Sequence, residues 1–88
     1  NKSKIIIAYE PVWSIGTGLI PKSEDLIKSV LFIRSKFGKN YQKILYGGSV
    51  NSDNIVQLKN ISTIDGFLIG GASRDPKKFI DIIKKTYI

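Results

Sequence analysis

The chain has 88 residues, 42% hydrophobic and 24% charged, which bounds it to one small domain and excludes a disordered chain. No apolar run approaches the roughly 20 residues of a membrane span, so no membrane partner is expected. Fourteen Lys and Arg against seven Asp and Glu give a charge of +7, but the lysines are scattered, without runs or interleaved aromatics, and read as a solvated surface rather than a nucleic-acid footprint.

Cysteine and histidine are both absent. Their absence removes disulfides and thiol catalysis, leaves only carboxylates for a metal site so that none is expected, and fits a reducing compartment, taken as the cytoplasm. The chain begins with Asn1 and holds no methionine, which predicts a processed product or a piece of a longer protein.

In chain order, Lys4 to Tyr9 is a continuous apolar, β-branched run that predicts a strand buried on both faces. It delivers one carboxylate, Glu10, to Pro11, where regular pairing stops and a long loop begins. Trp13 and Ile15 offer apolar bulk to cover that acid, while Gly16 and Gly18 leave backbone free to approach a ligand or to swing. A helix is predicted from Ser23 to about Lys36, with Glu24 and Asp25 in its first turn and Gly38 placed to end it. Its core stripe is Leu26, Ile27, Val30, Leu31, Ile33 and Phe37, with Lys28, Ser29, Arg34 and Lys36 outward.

Lys43 to Tyr46 is a second strand, ending in Gly47-Gly48-Ser49, and Asn51 to Lys59 a short helix burying Ile55, Val56 and Leu58. Asp65 to Ile69 is a third strand, again ending in glycines, Gly70-Gly71. The last helix takes Asp75 as N-cap and Pro76 as its first residue, with Phe79, Ile80, Ile83 and Tyr87 at helical spacing. The order βαβαβα implies parallel strands with right-handed crossovers, in either an open doubly wound sheet or a barrel. Three strands alone leave both edges unpaired, so residues 1–88 are expected to be three consecutive units of a larger α/β domain.

In such folds ligands bind at the carboxyl ends of the strands, where Glu10, Gly47-Gly48-Ser49 and Gly70-Gly71 should converge. Glycine pairs before helix starts expose backbone N–H groups suited to a phosphate, although any one pair is as readily a tight turn. Glu10 reads either as a surface acid or as a general base whose pKa is raised by the apolar strand before it and Pro11, Val12 and Trp13 after it; the base is favoured.

AYEPVWSIGTG, YGGSV and DGFLIGGAS, in this order and over essentially all 88 residues, resemble the triosephosphate isomerase family. The resemblance implies a (β/α)8 barrel, of which this chain is the C-terminal three βα units. It further implies cofactor-free interconversion of dihydroxyacetone phosphate and glyceraldehyde 3-phosphate by a homodimer. Glu10 would move the proton. Pro11, Val12 and Trp13 would be the first hinge of a lid whose tip is Ser14, Ile15, Gly16 and Thr17. The substrate phosphate would meet Gly16, Ser49, Gly70 and Gly71, Ile15 and Leu68 would clamp the carboxylate, and Tyr46 and Ser49 would bond the closed lid. The second hinge departs from the family, reading Leu19-Ile20-Pro21, and the family's substrate lysine and carbonyl-polarising histidine belong to its N-terminal half. Two other readings remain open: phosphate capture without turnover, and a structural piece that self-associates through its strand edges.

Overall fold

Each strand in this chain is followed by a helix, and the helices cover one face of a small parallel sheet. The computed structural model describes residues 5–17, 19–37 and 42–87. Strands β1 (Ile6–Tyr9), β2 (Lys43–Tyr46) and β3 (Gly66–Phe67) pair in the order β1-β2-β3, with Tyr9 beside Tyr46 and Tyr46 beside Phe67. The helices are α1 (Ser23–Ser35), α2 (Ile55–Leu58) and α3 (Pro76–Tyr87), with short 3₁₀ turns at Val12–Ser14 and Gly71–Arg74. Lys4, Gly18 and Gly38, expected at a strand start, in the loop and at a helix end, lie outside the described residues.

Alternation along the strands decides what is buried. Ile44 and Tyr46 of β2 are fully buried, and Ile7, Tyr9, Phe67 and Ile69 pack against the same cluster with Leu26, Val30, Ile55, Leu58 and Ile82 from the helices. Each such side chain gives about 1.5–3 kcal/mol when fully removed from water. The residues between them, Ile6, Ala8 and Leu68, face the other way and are exposed. β1 is therefore not buried on both faces as its composition predicts, because within these residues helices cover only one face and β1 is an edge strand.

The helices match expectation in place more closely than in face. α1 runs as predicted and buries Leu26 and Val30, but Leu31, assigned to the core stripe, is exposed, one residue and about 100° round from Val30. α2 is a single turn, because Asn51 Oδ1 accepts from the N–H groups of Asp53 and Asn54 and holds the preceding residues in a side-chain-capped turn. Val56, expected inside, is exposed. In α3, Asp75 Oδ1 accepts from the Lys77 N–H at 3.0 Å, as an N-cap should. The buried residue there is Ile82, while Ile80 and Tyr87 are exposed. Phe79, Ile82, Ile83 and Thr86, spaced i, i+3, i+4 and i+7, line one cavity together with Ile61, Ile64 and Phe67.

Arg34 is not turned to solvent as its helical position suggests. Its guanidinium donates at 2.8 Å to the carbonyls of Gln42 and Thr63 and to Asp65 Oδ2, and the same carboxylate oxygen accepts from the Ile44 N–H. One planar fork thus ties α1 to the amino-terminal ends of β2 and β3. Arg34→Lys keeps the charge but loses the fork, and should cost about 1–3 kcal/mol in urea unfolding of the protein carrying this segment. An unchanged midpoint would reduce the fork to decoration.

Candidate active site

The parallel register continues one step beyond the strands. Gly47 N–H donates to Tyr9 O and Leu68 N–H to Tyr46 O, each at 2.9 Å, which sets Glu10, Gly47 and Leu68 abreast at the carboxyl ends. Since Tyr9, Tyr46 and Phe67 point to the helices, these three occupy the opposite, open face. Gly47 makes room for the acid: a Cβ built there would lie 3.0 Å from Glu10 Cγ, 3.1 Å from Glu10 Oε1 and 3.1 Å from Leu68 Cβ. Glu10 itself is exposed, and the cover expected from Trp13 and Ile15 is not seen among the described residues. Those residues are themselves 54% and 51% exposed and are not buried against the carboxylate.

The loop after Glu10 is laced by its own polar side chains. Thr17 Oγ1 donates to Trp13 O at 2.9 Å and accepts from Leu19 N at 3.1 Å, while Ser14 Oγ donates to Leu19 O at 2.6 Å. Gly16 sits at φ 70°, in the left-handed region that side-chain-bearing residues adopt at a cost. Ser14, expected at the exposed tip, is instead fully buried at the root. Its Oγ lies 2.7 Å from the Tyr46 hydroxyl and 3.2 Å from Ser49 N, and Ser49 Oγ donates to Ser14 O. Because the Ser14 proton goes to Leu19 O, Ser14 Oγ must accept from both Tyr46 and Ser49.

Gly48 explains the second glycine of the pair. A Cβ there would overlap the Tyr46 hydroxyl and Ser14 Oγ. Gly47-Gly48 therefore clears space for side chains on two sides, for Glu10 on the open face and for the Tyr46–Ser14 bond behind it, a role that sequence alone does not distinguish from a phosphate-binding turn. Burial raises the Tyr46 pKa above 10.0, with the Ser14 and Ser49 hydrogen bonds opposing it.

Gly16, Ser49, Gly70 and Gly71, which come from three different loops, line one open cavity of about 570 Å³ together with Ile15 and Gly48. Sequence analysis expects these four to converge and does not name two cations that line the same cavity, Arg74 and Lys78. Their i, i+4 spacing directly after Gly70-Gly71 is the signal that pointed to them. Among the described residues no group of three or more His, Cys, Asp or Glu is gathered as for a metal ion, and no helix is long and apolar enough to cross a membrane.

A carboxylate at the tip of one strand, beside an open, glycine-walled cavity that a laced loop borders, is the arrangement that the three motifs anticipate. The profile of the family described as Triosephosphate isomerase matches residues 1–86. The chain belongs to the triosephosphate isomerase family. Curated triosephosphate isomerases resemble it closely: that of Thermodesulfovibrio yellowstonii is 46% identical over 86 residues, covering 91% of this chain and 35% of the relative. Those of Debaryomyces hansenii and Dictyostelium discoideum are 48% and 49% identical, covering 93% and 96% of this chain and 36% and 35% of theirs. The chain thus spans about a third of the length of the triosephosphate isomerases it matches. The family implies a (β/α)8 barrel, and the three-stranded parallel sheet with its helices is consistent with a part of one.

The buried Tyr46 hydroxyl gives a pH signature. Its raised folded pKa means that its contribution is complete below pH 10, and that the unfolded chain loses the proton first as pH rises beyond that. Tyr46→Phe should therefore be less stable than the parent by about 1 kcal/mol at pH 7, with the gap shrinking above pH 10. Paired urea titrations between pH 7 and 11 measure it, and a gap that widens with alkali would contradict the assignment.

Proposed function

We propose that these 88 residues are the C-terminal three βα units of a single (β/α)8 triosephosphate isomerase domain, and that Glu10 is its catalytic base. The observation that carries this reading is the position of Glu10, in step with Gly47 and Leu68 at the strand ends, one residue from the cavity that Gly16, Ser49, Gly70 and Gly71 line. A phosphate bound by those backbone N–H groups fixes one end of a triose, and Arg74 and Lys78 add positive charge on the same wall. The other end then reaches over Gly47 to the Glu10 carboxylate, which takes a proton from one carbon and returns it to its neighbour through an enediolate.

Pro11, Val12 and Trp13 form the first hinge of the lid, and Ile15, Gly16 and Thr17 ride on it. When it closes, Ile15 and Leu68 flank the carboxylate, water is excluded and the enediolate is kept from side reactions. The substrate is a phosphorylated triose, and the complete enzyme is a cytoplasmic homodimer that needs no cofactor. This chain has no histidine, so the group that polarises the substrate carbonyl comes from outside it. A base without that electrophile does not stabilise the enediolate, and residues 1–88 alone should be inactive.

In the complete enzyme, Glu10→Gln should abolish turnover of glyceraldehyde 3-phosphate. Glu10→Asp, which withdraws the carboxylate by about one methylene, should lower kcat by roughly 10²-fold or more with a smaller change in KM. A Glu10→Asp enzyme with the parent's kcat removes Glu10 from the role. Robust turnover by the 88-residue chain alone, lost on Glu10→Gln, would show that no outside electrophile is needed.

A further inference from the structure

The cavity shared by Gly16, Ser49, Gly70 and Gly71 is walled chiefly by backbone and small side chains, and two cations stand among them. Arg74 ends the 3₁₀ turn Gly71–Arg74, and Lys78, four residues on, lies in the first turn of α3. Both side chains are exposed. Among the described residues neither has an ion-pair partner, whereas Arg34 is held by Asp65 and Lys85 by Asp81. The one acid among the described residues that line this cavity, Asp75, has Oδ1 engaged with the Lys77 N–H as the cap of α3.

This placement runs against local electrostatics. The start of a helix carries partial positive charge and favours acids, as α1 shows with Glu24 and Asp25 in its first turn. The first turn of α3 has no acid and holds Lys77 and Lys78, with Arg74 just before it. Without a ligand, the helix end and these cations repel one another. A phosphate dianion entering the cavity relieves that repulsion and gains from each of them.

We propose that Arg74 and Lys78 are the capture residues for the substrate phosphate, drawing the dianion into the cavity before the backbone N–H groups fix it. The inference rests on the isomerase reading above and divides the labour within that site. Exposed charges are screened by water and add little to a finished complex. Their field acts chiefly on encounter, where a few like charges beside one cavity raise the rate of association. Removing them slows productive binding and leaves proton transfer at Glu10 alone, so the loss belongs to kcat/KM rather than kcat.

The complete enzyme is the test, at about 0.1 M ionic strength, where charges are felt over about 10 Å. There the double variant Arg74→Gln, Lys78→Gln should lower kcat/KM for glyceraldehyde 3-phosphate about three- to ten-fold, with kcat changed less than about two-fold. At about 1 M salt the range of a charge shrinks to about 3 Å, and the gap should close to less than about two-fold. Lys77→Gln removes a charge from the same turn but outside the cavity, and should change kcat/KM by less than about two-fold. The swap Arg74→Lys, Lys78→Arg keeps both charges and should recover most of what the glutamine pair loses. Each single glutamine variant should show a smaller loss of the same kind, and serves if the double variant does not fold. An unchanged kcat/KM, a loss that persists at high salt, a loss carried by kcat, a Lys77→Gln effect as large as the pair's, or no recovery on the swap each overturns the capture role.

Inorganic phosphate gives a readout apart from turnover. Calorimetric titration of the complete enzyme at about 0.1 M ionic strength should show phosphate binding weakened about three-fold or more in the double glutamine variant. Binding that is equal in parent and variant, or absent from both, overturns the inference. The isomerase reading is checked separately by parent turnover that Glu10→Gln abolishes. If the parent has no turnover that reading falls, and the phosphate titration alone then decides whether Arg74 and Lys78 capture the anion.

Discussion

The bond between the Tyr46 hydroxyl and Ser14 Oγ joins the three parts of the molecule that matter. Tyr46 closes β2, pairs in register with both Tyr9 and Phe67, and is buried within the helix-covered core. Its ring is therefore held from all sides, and the one polar atom it carries emerges at the carboxyl end of the sheet, where the loop begins. A phenol in that position converts the rigidity of the core into a fixed hydrogen-bonding point for a loop whose Val12, Trp13, Ile15 and Leu19 are exposed. Phenylalanine would fill the same volume and leave the loop without its anchor.

From that point the alternation of a strand dictates the rest. With Tyr46 turned to the helices, Gly47 must face the open side and Gly48 must follow the chain back over the hydroxyl. Both are glycine because both places are taken, the first by Glu10 and Leu68 and the second by the Tyr46–Ser14 pair. The same step of register that places Tyr9 beside Tyr46 places Glu10 beside Gly47. A one-residue slip of β1 would send Glu10 into the core and the apolar side chains out, so the position of the acid is as secure as the hydrophobic cluster behind it.

Much of this was legible in the sequence because it depends on local pattern. The β-branched runs, the acid before Pro11, the glycine pairs and Asp75 before Pro76 are each written in a few adjacent residues, and β2, α1 and α3 stand close to where those residues predict them. What was not legible depends on partners far away in the chain. Leu31, Val56 and Ile80 satisfy helical spacing but stay about half exposed within these residues, and Arg34 looks like a surface cation until the strand ends that bind it are brought alongside. Ser14 is the sharpest case, since nothing around it distinguishes a loop-tip serine from one whose hydroxyl meets a tyrosine 32 residues later.

The two ends of the sheet are tied by different chemistry, and the difference suits their tasks. At the amino-terminal ends a guanidinium spans two strands, its fixed fork bonded to two carbonyls and a carboxylate. Such a fork has one good arrangement and no cheap alternative, so it resists movement. At the carboxyl ends the ties run through the hydroxyls of Ser14, Tyr46, Thr17 and Ser49. A hydroxyl rotates, donates once and accepts from more than one side, so it can exchange one partner for another without leaving a charge stranded. A neutral bond of this kind contributes on the order of 1 kcal/mol net, small enough for a bound ligand to overcome and large enough to bias a loop in its absence. The amino-terminal end of the sheet is therefore fastened by charge, and the end that carries the proposed lid is fastened by hydroxyl groups.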